Sequence, residues 1–395
     1  MTLKNWPNGF VRACATISLL LCPLAAQQSR APAIALLDAA DAVQWQNWTS
    51  ELGWRVIVPD GSPSPNIDTR VQALVAAVQA GIRTGAVDPA RVYIAGRGDA
   101  AAAVFYTISR VPDLWAAGAA IGGSPKPALD TNRVFAANFT NVPVMWISSS
   151  DAKPLADKLT AAKLNLEWQP VSGGANAAGV IQWLAQHKRD PFPMSIDCET
   201  NSPTFSNCYW IQMTKFDPAE RNDVLESTRV AGGSGAALDL GGFAFKPDDP
   251  GPGVLITSLP KDYSGPLKVN DRLVALDGKP IADARQYADW LDKTTEEKSV
   301  TVTVQRGKER IRVETRVVLP RREGGISARV EAQYLPADKE IQIVSRTVTE
   351  MRVTVPPHWV PGTLLWNGLT LENLKEAGCW MLSMQKEILH AEKCK

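Results

Sequence analysis

The residues best spaced for chemistry surround Gly98, in the stretch VYIAGRGDAAAAVFYTISRVPDLWAAGAAIGG, Val92 to Gly123. The apolar run Val92 to Ala95 reads as a buried strand. Gly96, Gly98 and the small Ala100 read as a tight turn, and the Ala-rich stretch after them as a helix. A strand, a sharp turn and a helix lift the middle side chain of the turn clear of the backbone. Covalent acyl transfer needs an oxygen or sulfur nucleophile there. The middle residue here is Gly98, which supplies neither.

No other residue fills that role. Ser124 reads as part of a turn, and Ser148, Ser149 and Ser150 lie at a strand end. The one histidine that follows them in this half of the chain is His187, in Gln186-His187-Lys188-Arg189, which reads as a cation at a helix C-terminus. The chain has 3 histidines in all, so a His-rich metal site is excluded, and no cofactor signature is present. The tripeptide Arg97-Gly98-Asp99 falls inside the turn and is read as a chance match to an adhesion motif.

The turn and the following PDLWAAGAAIGG resemble secreted esterases of the feruloyl esterase and polyhydroxyalkanoate depolymerase kind, over residues 31 to 193. The resemblance implies an α/β-hydrolase fold with a doubly wound sheet. It also implies positions for the remaining catalytic roles. In PVMWISSSD, Pro143 to Asp151, Asp151 matches the acid, while Ile147 and Ser148 replace a His-Gly pair. The base would sit on the loop SGGANAAG, where Asn176 or its neighbours stand in its place. The oxyanion loop after the first strand is replaced by Leu37-Asp38-Ala39-Ala40. Gly98, Asp151 and Asn176 are therefore degenerate catalytic positions. Losing the serine or the histidine of a triad costs about a million-fold in turnover, so the expected domain is a scaffold without the chemistry.

The elements around this turn belong to an exported protein. Lys4 and Arg12 precede an apolar run, Ala13 to Leu24, and then Leu24-Ala25-Ala26, which reads as a signal peptide over residues 1–26. The run is shorter than the roughly 20 residues of a membrane span. Cys22 follows Leu21 rather than a small residue, which argues against lipoprotein processing. Removing the signal leaves Cys198, Cys208, Cys379 and Cys394, which allow three pairings, the sequence-local one being the simplest. No C-x-x-C spacing supports zinc. These features point to a secreted or periplasmic protein. With 42 Lys plus Arg against 41 Asp plus Glu, nothing points to nucleic acid or an anionic membrane surface.

A second unit spans residues 237–320. Gly265 to Ile281, GPLKVNDRLVALDGKPI, resembles the bacterial, HtrA-like PDZ domain. Leu240-Gly241-Gly242-Phe243-Ala244-Phe245 resembles its carboxylate-binding loop. Asp277-Gly278 is a hairpin signal, and Ala284, Tyr287, Ala288 and Leu291 form one stripe of a helix. The resemblance implies that a peptide or a protein C-terminus adds as a strand to the sheet edge. No protease domain accompanies it.

The 395-residue chain is thus expected to be multidomain. A degenerate α/β-hydrolase-like doubly wound sheet over 31–193 is followed by a β-rich sandwich module, 194–236 and 324–372, interrupted by the PDZ domain. A helical tail, 373–395, closes the chain. The leading functional expectation is an exported non-catalytic protein that binds peptides or C-termini. The alternatives are a secreted carboxylesterase with an unconventional nucleophile and a carbohydrate-surface protein using some of the 13 tryptophans.

Overall fold

The computed structural model describes residues 30–59, 64–171, 177–220, 222, 224–231, 235–246, 249–319, 326–385 and 388–394. The signal segment and Asn176 lie outside them.

The first unit is a parallel sheet. Its strands are β1 (Ala31–Leu36), β2 (Arg55–Ile57), β3 (Val87–Arg97), β4 (Ala117–Ile121), β5 (Val144–Ser148) and β6 (Leu166–Pro170), in the order β2-β1-β3-β4-β5-β6. Central strands here are apolar without alternation because both faces are covered. Ala33, Ala35, Val92 and Ile94 enter one core, together with Leu74 and Val78 of α2 (Ile67–Arg83) and Val104 and Phe105 of α3 (Ala101–Arg110). Ile34, Leu36, Tyr93 and Ala95 point the other way, onto Trp45 of α1 (Ala42–Thr49) and Leu184 of α6 (Ala177–Ala185). Short α4 (Lys126–Leu129) follows β4, and α5 (Lys153–Ala161) joins the first layer. The sheet is doubly wound, as the sequence implies.

The second unit is a sandwich of two five-stranded sheets. Before the insertion it supplies β7 (Ser195–Thr200), β8 (Asn207–Cys208) and β9 (Ile211–Phe216). The inserted unit holds β10 (Ala237–Leu238), β11 (Ala244–Phe245), β12 (Val254–Ser258), β13 (Arg272–Leu276), β14 (Lys279–Pro280), α7 (Ala284–Lys293), β15 (Lys298–Arg306) and β16 (Glu309–Val318). The chain then returns through β17 (Ala328–Leu335), β18 (Glu340–Arg346), β19 (Val348–Val355), β20 (Gly362–Trp366), β21 (Leu369–Leu374), β22 (Gly378–Gln385) and β23 (Ile388–Lys393). Strands on either side of the insertion pair directly: β7 with β17 and β9 with β19. Trp210, Trp359 and Trp366 fill the core between the sheets, with Trp210 edge-on to Trp359 at 5.1 Å.

The C-terminal segment corrects the helical expectation for 373–395. Residues Gly378–Gln385 and Ile388–Lys393 form an antiparallel hairpin that extends the β9/β19 sheet. The Cys379–Cys394 disulfide joins the open end of this hairpin, and Leu382 is buried opposite Met351. The side chains needed on one face recur every second residue, and sheet pairing overrides the helix-forming composition. Cys198 pairs with Cys208, so the bonding is the sequence-local one.

The inserted sheet runs β10-β16-β15-β13-β12-β11, with β14 beside β13. Asp277 and Gly278 both take positive φ, 46° and 75°, as the primed turn of the β13/β14 hairpin requires. Asp283 caps α7 by accepting the Gln286 N–H at 2.8 Å.

Candidate functional site

Gly98 sits where β3 turns into α3, at φ 55°. Two neighbouring glycines are required by close backbone approach. A methyl on Gly96 would lie 2.3 Å from the Ala100 carbonyl oxygen, and one on Gly123 only 1.9 Å from that of Gly98. A methyl on Gly98 itself would meet nothing within 4 Å. The turn therefore keeps its shape and points its middle position into open space.

The loop that replaces the oxyanion loop holds this turn. Asp38 caps a short 3-10 turn, Ala39–Asp41, by accepting the Ala40 N–H at 3.0 Å. Asp41 then accepts the Arg97 N–H at 2.9 Å, and the Arg97 guanidinium lies 5.1 Å from the Trp48 ring centroid. A cavity of about 310 Å³ opens beside the turn. Ala100, Ala103 and Ala128 line its floor, and Asp38, Arg70 and Asp99 are its charged groups. Arg70 donates to the Leu37 carbonyl at 3.2 Å, while its Nε is buried without a hydrogen-bond partner.

Asn176 lies outside the described residues, and His187 and Asp151 meet other partners. His187 lies at the far end of the sheet: its carbonyl accepts the Tyr93 hydroxyl at 3.0 Å, and its Nδ1 lies 2.9 Å from the Trp183 carbonyl. Tyr93 precedes Gly98 by five strand residues, on the order of 16 Å at 3.3 Å per residue. Asp151, just beyond β5, faces Arg285 of α7 at 3.1 Å. The Ser149 hydroxyl, and then Arg285, hold its carboxyl below the ordinary value. Ser148 is buried and accepts the Trp168 indole N–H at 2.8 Å. No sequence signal pointed to Arg70 or Arg285, because both reach their places from remote helices.

A buried carboxyl marks the junction with the sandwich. Asp113 Oδ1 is buried without a hydrogen-bond partner. Arg189 spends its donors on the carbonyls of Pro89 and Asp113, at 3.1 and 2.8 Å. Burial pushes the Asp113 carboxyl up, and Arg189 opposes this only partly.

The peptide-binding positions are contiguous. Leu240 is buried; Gly241 and Gly242, at φ 78° and 74°, are exposed and lead into β11, the edge strand of its sheet. Among the described residues the N–H groups of Gly241, Gly242 and Phe243 have no hydrogen-bond partner. Ala244 is exposed on the edge. Phe243 and Phe245 pack towards Tyr287 of α7, with ring centroids 6.5 and 5.8 Å away. Burial raises the Tyr287 phenol well above its ordinary value, so it stays neutral. The arrangement offers three successive donors at the head of an open strand, beside an aromatic wall, which suits an anionic chain end. Among the described residues no group of acids, histidines or cysteines could hold a metal ion.

Residues 241–317 match the PDZ domain family. Solved structures similar to the chain include a thermostable esterase, at 16% identity over 31% of this chain and 37% of that one, TM-score 0.24. Esterase PE8 is 13% identical over 40% of this chain and 92% of that one, TM-score 0.30. A variant of Arabidopsis thaliana SOBER1 is 16% identical over 40% and 98%, TM-score 0.29. The chain spans 37% of the length of the first of these. No curated protein matches it. The chain therefore carries a PDZ domain at 241–317, beside a doubly wound six-stranded parallel sheet.

Proposed function

We propose that this is an exported, non-catalytic protein that binds peptides or protein C-termini through its PDZ domain and uses the hydrolase-like unit as scaffold. The observation that carries the reading is the run of three unpartnered N–H groups, Gly241 to Phe243, at the head of edge strand β11. Unused backbone donors at an exposed strand edge are a template for an added strand, and glycines let successive N–H groups converge on one anion. The glycine at position 98 and the remote His187 support the non-catalytic part. Two disulfides, and the absence of a membrane-length apolar helix among the described residues, are compatible with export. Six tryptophans, Trp45, Trp115, Trp146, Trp210, Trp359 and Trp366, are fully buried, which argues against a broad carbohydrate platform.

The test is a peptide array with free C-termini, repeated with the same peptides amidated. Binders are expected to lose about tenfold or more in affinity on amidation, the cost of one or two charge-assisted hydrogen bonds. An array without binders, or binders indifferent to amidation, overturns the reading.

A further inference from the structure

Two ion pairs join α7 of the PDZ domain to the loops that follow β4 and β5 of the hydrolase-like sheet. Arg285 donates to Asp151 at 3.1 Å, and Asp292 lies 3.8 Å from Lys126 Nζ. Arg285 and Asp292 are seven residues apart, so they share one face of the helix. The charges run positive then negative along the helix, and they meet Asp151 and Lys126, negative then positive, after β5 and β4. Turned end for end, the helix would set like charges together, so the matched pairs fix direction as well as position. Lys126 adjoins Pro127 and Ala128, which line the cavity beside Gly98. The same helix carries Tyr287 against Phe243 and Phe245, the wall of the peptide groove.

We propose that the segments following β4 and β5 form an intramolecular docking seat for α7, with Asp151 as its anchor. The position that the esterase resemblance assigns to the catalytic acid holds a neighbouring domain instead of orienting a base. Docking seats α7 on Lys126 and Asp151, and Lys126 directly precedes Pro127 and Ala128 of the cavity lining. The four side chains are 73%, 53%, 44% and 40% exposed for Arg285, Asp151, Lys126 and Asp292. Pairs this exposed change a population by roughly two- to fivefold each, and charges are screened beyond about 3 Å in 1 M salt. The contact is therefore reversible and salt-sensitive. It does not depend on whether the groove takes a peptide.

Zero-length carbodiimide coupling of the full chain, read by peptide mass spectrometry, tests this. Lys126 also lies 3.4 Å from Asp130 at the end of its own helix α4, so the Lys126–Asp130 amide is an internal control. At about 0.01 M salt, where screening reaches only beyond roughly 30 Å, a Lys126–Asp292 amide is expected. Its yield relative to the control should fall about fivefold in 1 M salt and in Arg285→Glu. The double variant Asp151→Arg with Arg285→Glu restores the attraction and should restore the yield. Both substitutions fall on exposed side chains and leave the core untouched. Absence of the Lys126–Asp292 amide while the control forms overturns the proposal. So does a yield indifferent to salt and to Arg285→Glu, or one the double variant fails to restore.

Discussion

Asn138 of the hydrolase-like unit grips the backbone of Glu199 in the sandwich from both sides. Its Oδ1 accepts the Glu199 N–H at 2.7 Å, and its Nδ2 donates to the Glu199 carbonyl at 2.8 Å and also to that of Ser109. The Glu199 carboxylate is fully buried. It accepts from the Ser227 hydroxyl at 2.6 Å, the Thr228 N–H at 2.6 Å and hydroxyl at 2.8 Å, and the Ser327 hydroxyl, with Arg346 at 3.3 Å. Phe205 of the sandwich reaches into the same core as α3. The two units thus share one buried, satisfied polar junction.

Glu199→Ala is expected to destabilise this pair of units by about 3–5 kcal/mol, because it strands Arg346 and four other donors in a dry site. Asn138→Ala should cost about 1–3 kcal/mol through the orphaned Glu199 N–H. Urea unfolding of the single variants measures both. A loss below roughly 0.5 kcal/mol for Glu199→Ala, as at an ordinary surface position, would deny the junction its role.

Asp113 gives an unusual pH dependence. Its folded carboxyl sits above the ordinary 3.8, so the native state holds a proton that the unfolded chain releases first. Stability from this group is full below that value and declines as pH rises towards the folded one. Asp113→Asn should match the native protein at acid pH and exceed it increasingly as pH rises. Thermal midpoints across pH 3 to 8 report the difference, and parallel curves would refute the assignment.

The turn glycines should respond differently to substitution. Gly98→Ser meets no neighbour and carries only the positive-φ strain, about 1–2 kcal/mol. Gly123→Ala drives a methyl into the Gly98 carbonyl and should cost about 3 kcal/mol or more. Neither the native chain nor Gly98→Ser is expected to hydrolyse p-nitrophenyl esters above blank. Turnover by the native chain, after removal of contaminants, would favour an esterase with an unconventional nucleophile.

Inside the PDZ domain, Asp271 accepts from Arg306 at 2.9 and 2.8 Å and from the Lys268 N–H at 2.7 Å. Burial raises its carboxyl, but these partners outweigh it and hold the folded value below 3.8. The stabilisation is present above pH 3.8 and lost as pH falls through the lower folded value. Asp271→Asn should therefore cost about 2 kcal/mol at neutral pH and progressively less in acid. Equal losses at pH 7 and pH 3 would contradict this.

Local chemistry made much of the molecule legible in the sequence. The apolar runs of β3 and β5, the glycine turn at Gly98, the Asp277-Gly278 hairpin and the stripe of α7 each rest on short-range periodicity or backbone preference. That position 98 offers no side-chain oxygen or sulfur needed no structure at all, since glycine has no side chain. Tertiary structure decided whatever depends on distant neighbours. It selected one of three cysteine pairings, because β7 with β8 and β22 with β23 bring the local partners together. It turned the expected helical tail into strands, because the edge of the β9/β19 sheet offered hydrogen bonds that a helix there would leave unmade. It also gave Asp151 the partner Arg285, 134 residues away in sequence, which no spacing rule could have named. Propensity and pattern act over a few residues, whereas burial and charge pairing are settled only when remote segments meet.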